Sequence, residues 1–291
     1  MLMNRKNTYL VLYFFTVIFL SGVSAETQKT NETQQADSLW EKELISKIHL
    51  SQSNYDNWTT GAENTFSWLL KIIADMRRDW SNWNWANQGK FSYGKTKVGK
   101  QEARKSLDEI KIESVLAYKL GLQVNPYIAI NIETQATPGY IYSNGDKTKV
   151  SDFFDPAFYR QSIGFGYTLK PVFKTRMGFA VRETITRRYW QHSDDPKTEK
   201  IEKINTNLGL ESVTDILVKF NNDLVLKSKL QLFSDMSKID AVDVNWDNII
   251  SAKVARYFDV DFNLKLIYDK NLSLQRQIMQ VLSLGLTYSF F

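Results

Sequence analysis

The chain has 291 residues, a formal net charge of +5, no cysteine and 43% hydrophobic residues. The lack of cysteine excludes disulfide bonds and a lipid attached to a lipobox cysteine, and the mild charge does not indicate nucleic-acid binding. Two histidines without any cysteine are too few for a His/Cys metal cluster, and the sequence predicts no cofactor.

The N-terminal segment has the features of a signal peptide. Arg5 and Lys6 precede an apolar run over residues 9–20, which is too short to span a bilayer as a helix. A small-residue cleavage site ends at Ala25. Residues 1–25 are therefore predicted to be removed during export, and the alternative is an uncleaved membrane anchor.

The rest of the chain is predicted to be one β domain with a short lead-in. Residues 26–44 begin with a polar stretch of Thr, Gln, Asn and Glu and are predicted to be disordered or briefly helical in the periplasm. Over residues 45–291, apolar and polar residues alternate with a period of two, the pattern of strands with one apolar and one polar face. About twelve segments show it.

The predicted strands are separated by turns and loops of different lengths. The first strand spans about residues 45–54, and the second ends in a tight reversal at residues 77–79. A basic loop at residues 95–105 separates the third strand from the fourth. A long loop at residues 137–155 follows the fifth strand, and a polar loop at residues 191–200 follows the seventh.

The later strands include the clearest alternation in the chain. The eighth predicted strand ends near Leu210, and the ninth runs from Val218 to Leu232 with Asn221 on its polar face. The last strand resembles the C-terminal strand of outer-membrane barrel proteins, which ends on an aromatic residue. The residues predicted to face lipid are Leu226, Leu264, Leu266, Leu282, Leu284, Leu286, Tyr288 and Phe290.

The polar faces of the predicted strands have full charges, which form a basic band on strands six and seven and an acidic band on strands ten and eleven. The residues predicted to line the lumen are Arg160, Lys170, Lys174, Arg176, Arg182, Asp243, Asp247, Asp261 and Asp269. On one interpretation the two bands produce a transverse field in a narrow pore. On the other they form ion pairs and plug the lumen as a polar core.

Long loops are predicted after strands three, five and seven, and tight turns after most even-numbered strands. An up-and-down barrel with both termini in the periplasm has this alternation, whereas a Greek-key sandwich does not require it. Residues 45–291 are therefore predicted to form an all-β, transmembrane, antiparallel up-and-down barrel of about 12 strands in the bacterial outer membrane. The predicted partners are the lipid bilayer, periplasmic chaperones and the barrel-assembly machinery, and the sequence leaves the oligomeric state open.

Three segments resemble a family of Bacteroidota proteins catalogued as domain of unknown function 3078 (DUF3078). They are NWTTGAEN at residues 57–64, WANQGKFSYG at residues 85–94 and VSDFFDPAF at residues 150–158. The first motif of the family has two consecutive glycines, whereas the second position is Ala62 in this chain. The resemblance implies a barrel in the outer membrane and implies no activity.

The sequence supports three functional hypotheses. The leading one is a narrow channel or transport-associated barrel for small polar solutes. The second is a structural or assembly barrel with a plugged lumen. The third is an outer-membrane lipid hydrolase, which depends only on His49 near Ser51 and on His192 beside Ser193 and Asp194. Neither histidine belongs to a recognisable nucleophile motif, so no catalytic residue is assigned and the chain is not predicted to be an enzyme.

Overall fold

A computed structural model describes residues 40–55, 63–143, 146–169, 172–194, 198–237, 242–269 and 275–290. The predicted signal peptide and most of the predicted lead-in lie outside these residues, and so do residues 57–61 of the first family motif and the lumen candidate Lys170. No helix in the described part of the chain is long and apolar enough to cross a membrane.

Twelve strands form one closed barrel in which neighbours along the chain are antiparallel. A separate two-stranded hairpin, β6–β7, interrupts the connection from β5 to β8. The strands are β1 (Glu41–Ser53), β2 (Thr65–Asp79), β3 (Trp83–Val98), β4 (Arg104–Tyr118), β5 (Val124–Thr134), β6 (Gly139–Ser143), β7 (Asp146–Ser151), β8 (Ala157–Leu169), β9 (Phe173–Ile185), β10 (Ile204–Lys219), β11 (Leu224–Asp235), β12 (Val242–Lys253), β13 (Phe258–Tyr268) and β14 (Gln277–Ser289). A 3₁₀ turn at Trp190–His192 lies between β9 and β10.

The barrel closes where β1 pairs with β14. Ile45 lies opposite Ser289, and His49 lies opposite Gly285. Gly285 is needed there, because an added Cβ would be 2.7 Å from the Nδ1 atom of His49. The predicted closed 12-stranded antiparallel barrel is thus confirmed.

The two ends of the barrel differ in the length of their connections. At one end the strands are joined by tight turns at residues 80–82, 119–123, 220–223 and 254–257, and both β1 and β14 have their terminal ends there. At the other end the longest connections are residues 135–156 and 186–203. We call these the tight-turn end and the loop end.

Several predicted boundaries are wrong. β1 begins at Glu41, inside the predicted lead-in, because residues 41–44 pair with the last residues of β2. β2 continues through the reversal predicted at residues 77–79 and ends at Asp79. The basic loop predicted at residues 95–105 is mostly strand, and only residues 99–103 connect β3 with β4. Gly99 permits this tight turn with its positive φ of 55°.

Two further connections differ from the prediction. The loop predicted at residues 137–155 contains the β6–β7 hairpin. The turn between the eighth and ninth predicted strands lies at residues 220–223, so Asn221 is a turn residue and not a strand residue. Its side-chain oxygen accepts hydrogen bonds from the backbone amides of Asp223 and Leu224, which is the chemistry of an Asx turn.

The outer face of the barrel is apolar and the inner face is polar. Leu282 is 73% exposed and Met177 is 65% exposed on the outside. In contrast, Glu113, Glu211 and Asp261 are buried inside. In water this arrangement would expose most of the large apolar side chains, whereas in a bilayer they contact lipid tails. The fold is therefore that of a transmembrane β-barrel.

The two faces should respond differently to an added charge. Arginine in place of Leu264, an outward residue in the middle of β13, is expected to destabilise the barrel by about 2–4 kcal/mol because it would place a cation in the hydrocarbon layer. The matched control is Asn263→Arg, on the inner face, where Asp247 lies within hydrogen-bonding distance. Denaturant unfolding in lipid vesicles measures both variants. An equal loss of stability in the two would argue against lipid contact at Leu264.

Candidate functional site

The candidate site is the charged interior of the barrel, and its centre is Glu113 on β4. One carboxylate oxygen of Glu113 contacts the guanidinium of Arg176 on β9, and the other contacts the ammonium of Lys229 on β11. The strands β10, β9, β8 and β5 separate β11 from β4 around the wall. The contact with Lys229 therefore crosses the lumen.

A second contact across the lumen is made by Glu109, which lies four residues before Glu113 on the same face of β4. Glu109 Oε2 lies 2.8 Å from Lys90 Nζ on neighbouring β3, and Glu109 Oε1 lies 3.6 Å from Lys265 Nζ on β13. The strands β3, β2, β1 and β14 separate β13 from β4. Two carboxylates of the same strand thus reach opposite parts of the wall.

Arg182 on β9 joins the predicted basic band to the predicted acidic band. Its Nη1 atom lies 2.7 Å from Asp243 Oδ2 and 3.4 Å from Asp269 Oδ2. The guanidinium also lies 4.4 Å from the ring centre of Phe233, which fixes its plane. At this position the two bands are paired with each other.

The other predicted lumen arginines pair with carboxylates outside the acidic band. Arg160 Nη1 donates to Glu211 Oε2 at 2.8 Å, and the hydroxyl of Ser162 donates to the second oxygen of that carboxylate at 2.9 Å. Together with Asn131 and Gln231, these side chains enclose a space that is too small for a water molecule.

A third cluster lies where the barrel closes. Lys47 Nζ lies 2.5 Å from Asp259 Oδ2 and 3.1 Å from Asp261 Oδ2. His49 is also buried inside the barrel, and its Nε2 atom is 3.9 Å from Asp261 Oδ2, which is too far for a hydrogen bond.

The remaining predicted lumen residues also lie on the inner face where they are described. Lys174 on β9 lies opposite Asp215 on β10. Asp247 on β12 accepts a hydrogen bond from the side-chain amide of Asn263 at 3.0 Å. The predicted lipid-facing residues occupy the other face: Leu282, Leu284 and Leu286 of β14 are exposed, and Leu264 has the strand phase of the exposed Phe262.

Sequence reasoning did not select the partners that complete these ion pairs. Glu113, Glu109, Glu211, Lys229 and Lys47 all have the inward phase of their strands. That phase was visible in the sequence. The pairing across several strands was not, because it depends on the closed barrel bringing opposite walls within reach.

The loop end of the barrel has its own contacts. Asp155 is buried, and its carboxylate accepts hydrogen bonds from the backbone amides of Arg187 and Arg188, so it joins the β7–β8 connection to the β9–β10 loop. On the hairpin side, the ammonium of Lys149 donates to Asp152 and lowers the pKa of that partly exposed carboxyl. Among the described residues, no cluster of three or more His, Asp or Glu residues is suited to hold a metal ion.

The histidine at the loop end is next to a serine with a structural role. The hydroxyl of Ser193 is within 2.7 Å of the hydroxyl of Thr186 and donates to the carbonyl of Glu202 at 2.7 Å. Asp194 accepts a hydrogen bond from the amide of Glu202. These contacts close the loop that contains His192.

Comparison with solved structures finds other barrels at low identity. The chain is similar to the translocator domain of autotransporter NalP from Neisseria meningitidis, with 8% identity, a TM-score of 0.39, and coverage of 87% of this chain and 89% of that one. It is similar to the COG4313 outer membrane channel from Pseudomonas putida F1, with 8% identity, a TM-score of 0.40, and coverage of 91% and 99%. It is also similar to the NanC porin, with 10% identity, a TM-score of 0.38, and coverage of 86% of this chain and 98% of that one.

No curated protein matches the chain. One family model does match, and its description is "Protein of unknown function (DUF3078)". The match covers residues 50–140, which include the first two of the three segments that carry the resemblance in the sequence. Over that segment the match confirms the predicted family, DUF3078.

Proposed function

We propose that the protein is a β-barrel of the bacterial outer membrane with a lumen closed by ion pairs, and that its role is structural or in assembly. The observation that most supports this is the position of the Glu113 carboxylate between Arg176 and Lys229. Closed membrane barrels with an apolar band around them are typical of the outer membrane, and the predicted signal peptide provides for export.

The ion pairs explain why such a lumen stays closed. A solute that passed Glu113 would have to separate its carboxylate from two cations, in a place where water is largely excluded. Removing one partner of a buried pair leaves a charge without compensation, which costs about 3–5 kcal/mol. Solutes that could provide equivalent contacts would have to be charged, and each would meet both signs of charge on the wall.

A narrow channel for small polar solutes is the second candidate. It is supported by the partial exposure of inner-face charges, since the side chains of Lys229, Glu133 and Asp215 are 23%, 30% and 42% exposed. Water therefore reaches parts of the wall on either side of the contacts. Movement of the Glu113 side chain would be the step that connects these regions.

The proposal includes no catalytic activity. Ser193 is engaged by the loop around it, and His49 is enclosed in the lumen beside Asp261. A lipid hydrolase of the outer membrane would need its nucleophile within reach of lipid. Ester hydrolysis by the purified protein that is lost in His49→Gln would instead support the hydrolase.

Conductance across planar lipid bilayers tests the closed lumen. The wild-type barrel is expected to give no steady current. Glu113→Ala is expected to give discrete current steps, because Arg176 and Lys229 then lose the carboxylate that holds them together. The matched control is Glu133→Ala, since the ion pair of Glu133, 3.3 Å from Lys111 Nζ, is with the neighbouring strand β4.

The control should remain silent. A steady current from the wild-type protein would contradict the closed lumen, and a change of its ion selectivity in Arg176→Ala would support the channel.

A further inference from the structure

The outer surface at the tight-turn end has a cluster of tryptophans around one arginine. The guanidinium carbon of Arg78 lies 4.7 Å from the ring centre of Trp80 and 5.8 Å from that of Trp40. The ring of Trp85 is stacked on Trp80 at 6.5 Å and is tilted against Trp40 at 5.3 Å. The cation therefore contacts two aromatic rings, and Trp85 packs against both of them.

The strand register places this cluster on the face towards the membrane. Arg78 at the end of β2 lies opposite Trp85 on β3, and Trp85 in turn lies opposite the outward Leu116 on β4. A groove of about 490 Å³ is lined by Trp80, Ser81, Trp83, Trp85 and Leu116. Apart from Ser81 its walls are apolar, and it begins next to the arginine.

Arg78 has no ion pair within the described part of the chain, although it borders the bilayer. The nearby carboxylate of Asp79 is occupied, because it lies 2.6 Å from Lys119 Nζ and accepts a hydrogen bond from Asn84. The Nε atom of Arg78 is buried and makes no hydrogen bond to the described residues. Since no carboxylate among these residues pairs with it, this guanidinium is suited to bind an anion from outside the chain through its two terminal NH₂ groups.

We propose that this cluster is a phospholipid-binding site, with Arg78 holding the phosphate and the groove holding the start of an acyl chain. Tryptophan is enriched where headgroups meet the hydrocarbon layer, and guanidinium groups bind phosphate through paired hydrogen bonds. The occupant is a lipid and not a free anion, because the groove beside the cation is apolar and opens towards the bilayer. The site depends on the membrane-spanning fold and is independent of whether the lumen is closed.

Native mass spectrometry of the detergent-solubilised full barrel with dioleoyl phosphatidylglycerol tests the site. The wild-type protein is expected to retain one lipid more tightly than the rest. Arg78→Gln is expected to weaken that binding about tenfold, since it removes a charge-assisted contact. The matched control is Arg77→Gln, which loses the same charge from the inner face of the same strand, where Arg77 lies opposite Glu41 and Ala86. Its lipid binding should equal that of the wild type.

A second variant keeps the charge of Arg78 and removes one tryptophan of the cluster around it. Trp80→Leu is expected to weaken lipid binding severalfold while leaving the heat-modifiable gel mobility of the folded barrel unchanged. Inorganic phosphate at the same concentration should not displace the lipid. Undiminished lipid binding by Arg78→Gln, or displacement by phosphate alone, would overturn the proposal.

Discussion

Opposite charges form ion pairs inside this barrel, and the carboxylates of Glu113 and Glu109 on β4 form the pairs that span the lumen. β4 presents Glu109 and Glu113 on the same inward face, and these residues contact cations on β3, β9, β11 and β13. Other buried polar groups, such as Ser162, are arranged around similar contacts. The interior is thus a polar core in place of the apolar core of a soluble protein.

Ion pairs of this kind do not need to make the barrel more stable than an apolar filling would. Burying two charges has a desolvation cost that often cancels their attraction, and well-packed apolar residues are often as stable. What the pairs determine is which strands are connected across the lumen. Gly164 and Gly178 lie opposite each other on β8 and β9, and the two backbones approach closely there, because an added Cβ on either glycine would be within 2.2 Å of the facing backbone.

The outer face has the same period-two alternation as the inner face, but its side chains contact lipid and not polar groups. The side chains of Leu282 and Met177 are exposed on the protein surface, and in the membrane they are buried against lipid tails. The arginine–tryptophan cluster at the tight-turn end is an exception to this apolar surface. It lies at the level where the hydrocarbon layer ends, and there a charged group can contact lipid headgroups while an aromatic ring contacts acyl chains.

Much of the fold could be predicted because period-two alternation assigns each strand residue to a face. The strand number and the inward position of Arg176, Arg182 and Asp243 follow from it. The lengths of strands could not be predicted where they extend beyond the bilayer, as in the segment at residues 95–105. There polar residues occupy both faces, so alternation disappears although the backbone ladder continues with Lys95 opposite Lys105 and Thr96 opposite Arg104. Hydrogen bonding between strands does not depend on the side chains.

The pairing across the lumen could not be predicted for a different reason. Lys229 and Glu113 are far apart in the chain and on non-neighbouring strands, and both signs of charge occur on almost every inward face. Many pairings are compatible with that pattern. Only the closed geometry decides which cation reaches which carboxylate.

A double-mutant cycle between Glu113 and Lys229 tests the central claim most directly. The unfolding free energies of Glu113→Ala, Lys229→Ala and the double variant would be compared with the wild type in lipid vesicles. The account predicts a coupling energy of at least about 1 kcal/mol, because the two side chains are in contact. The same cycle with Lys227, two residues along the same face, should give almost no coupling. Equal coupling for Lys227 and Lys229, or none for either, would contradict an ion pair across the lumen.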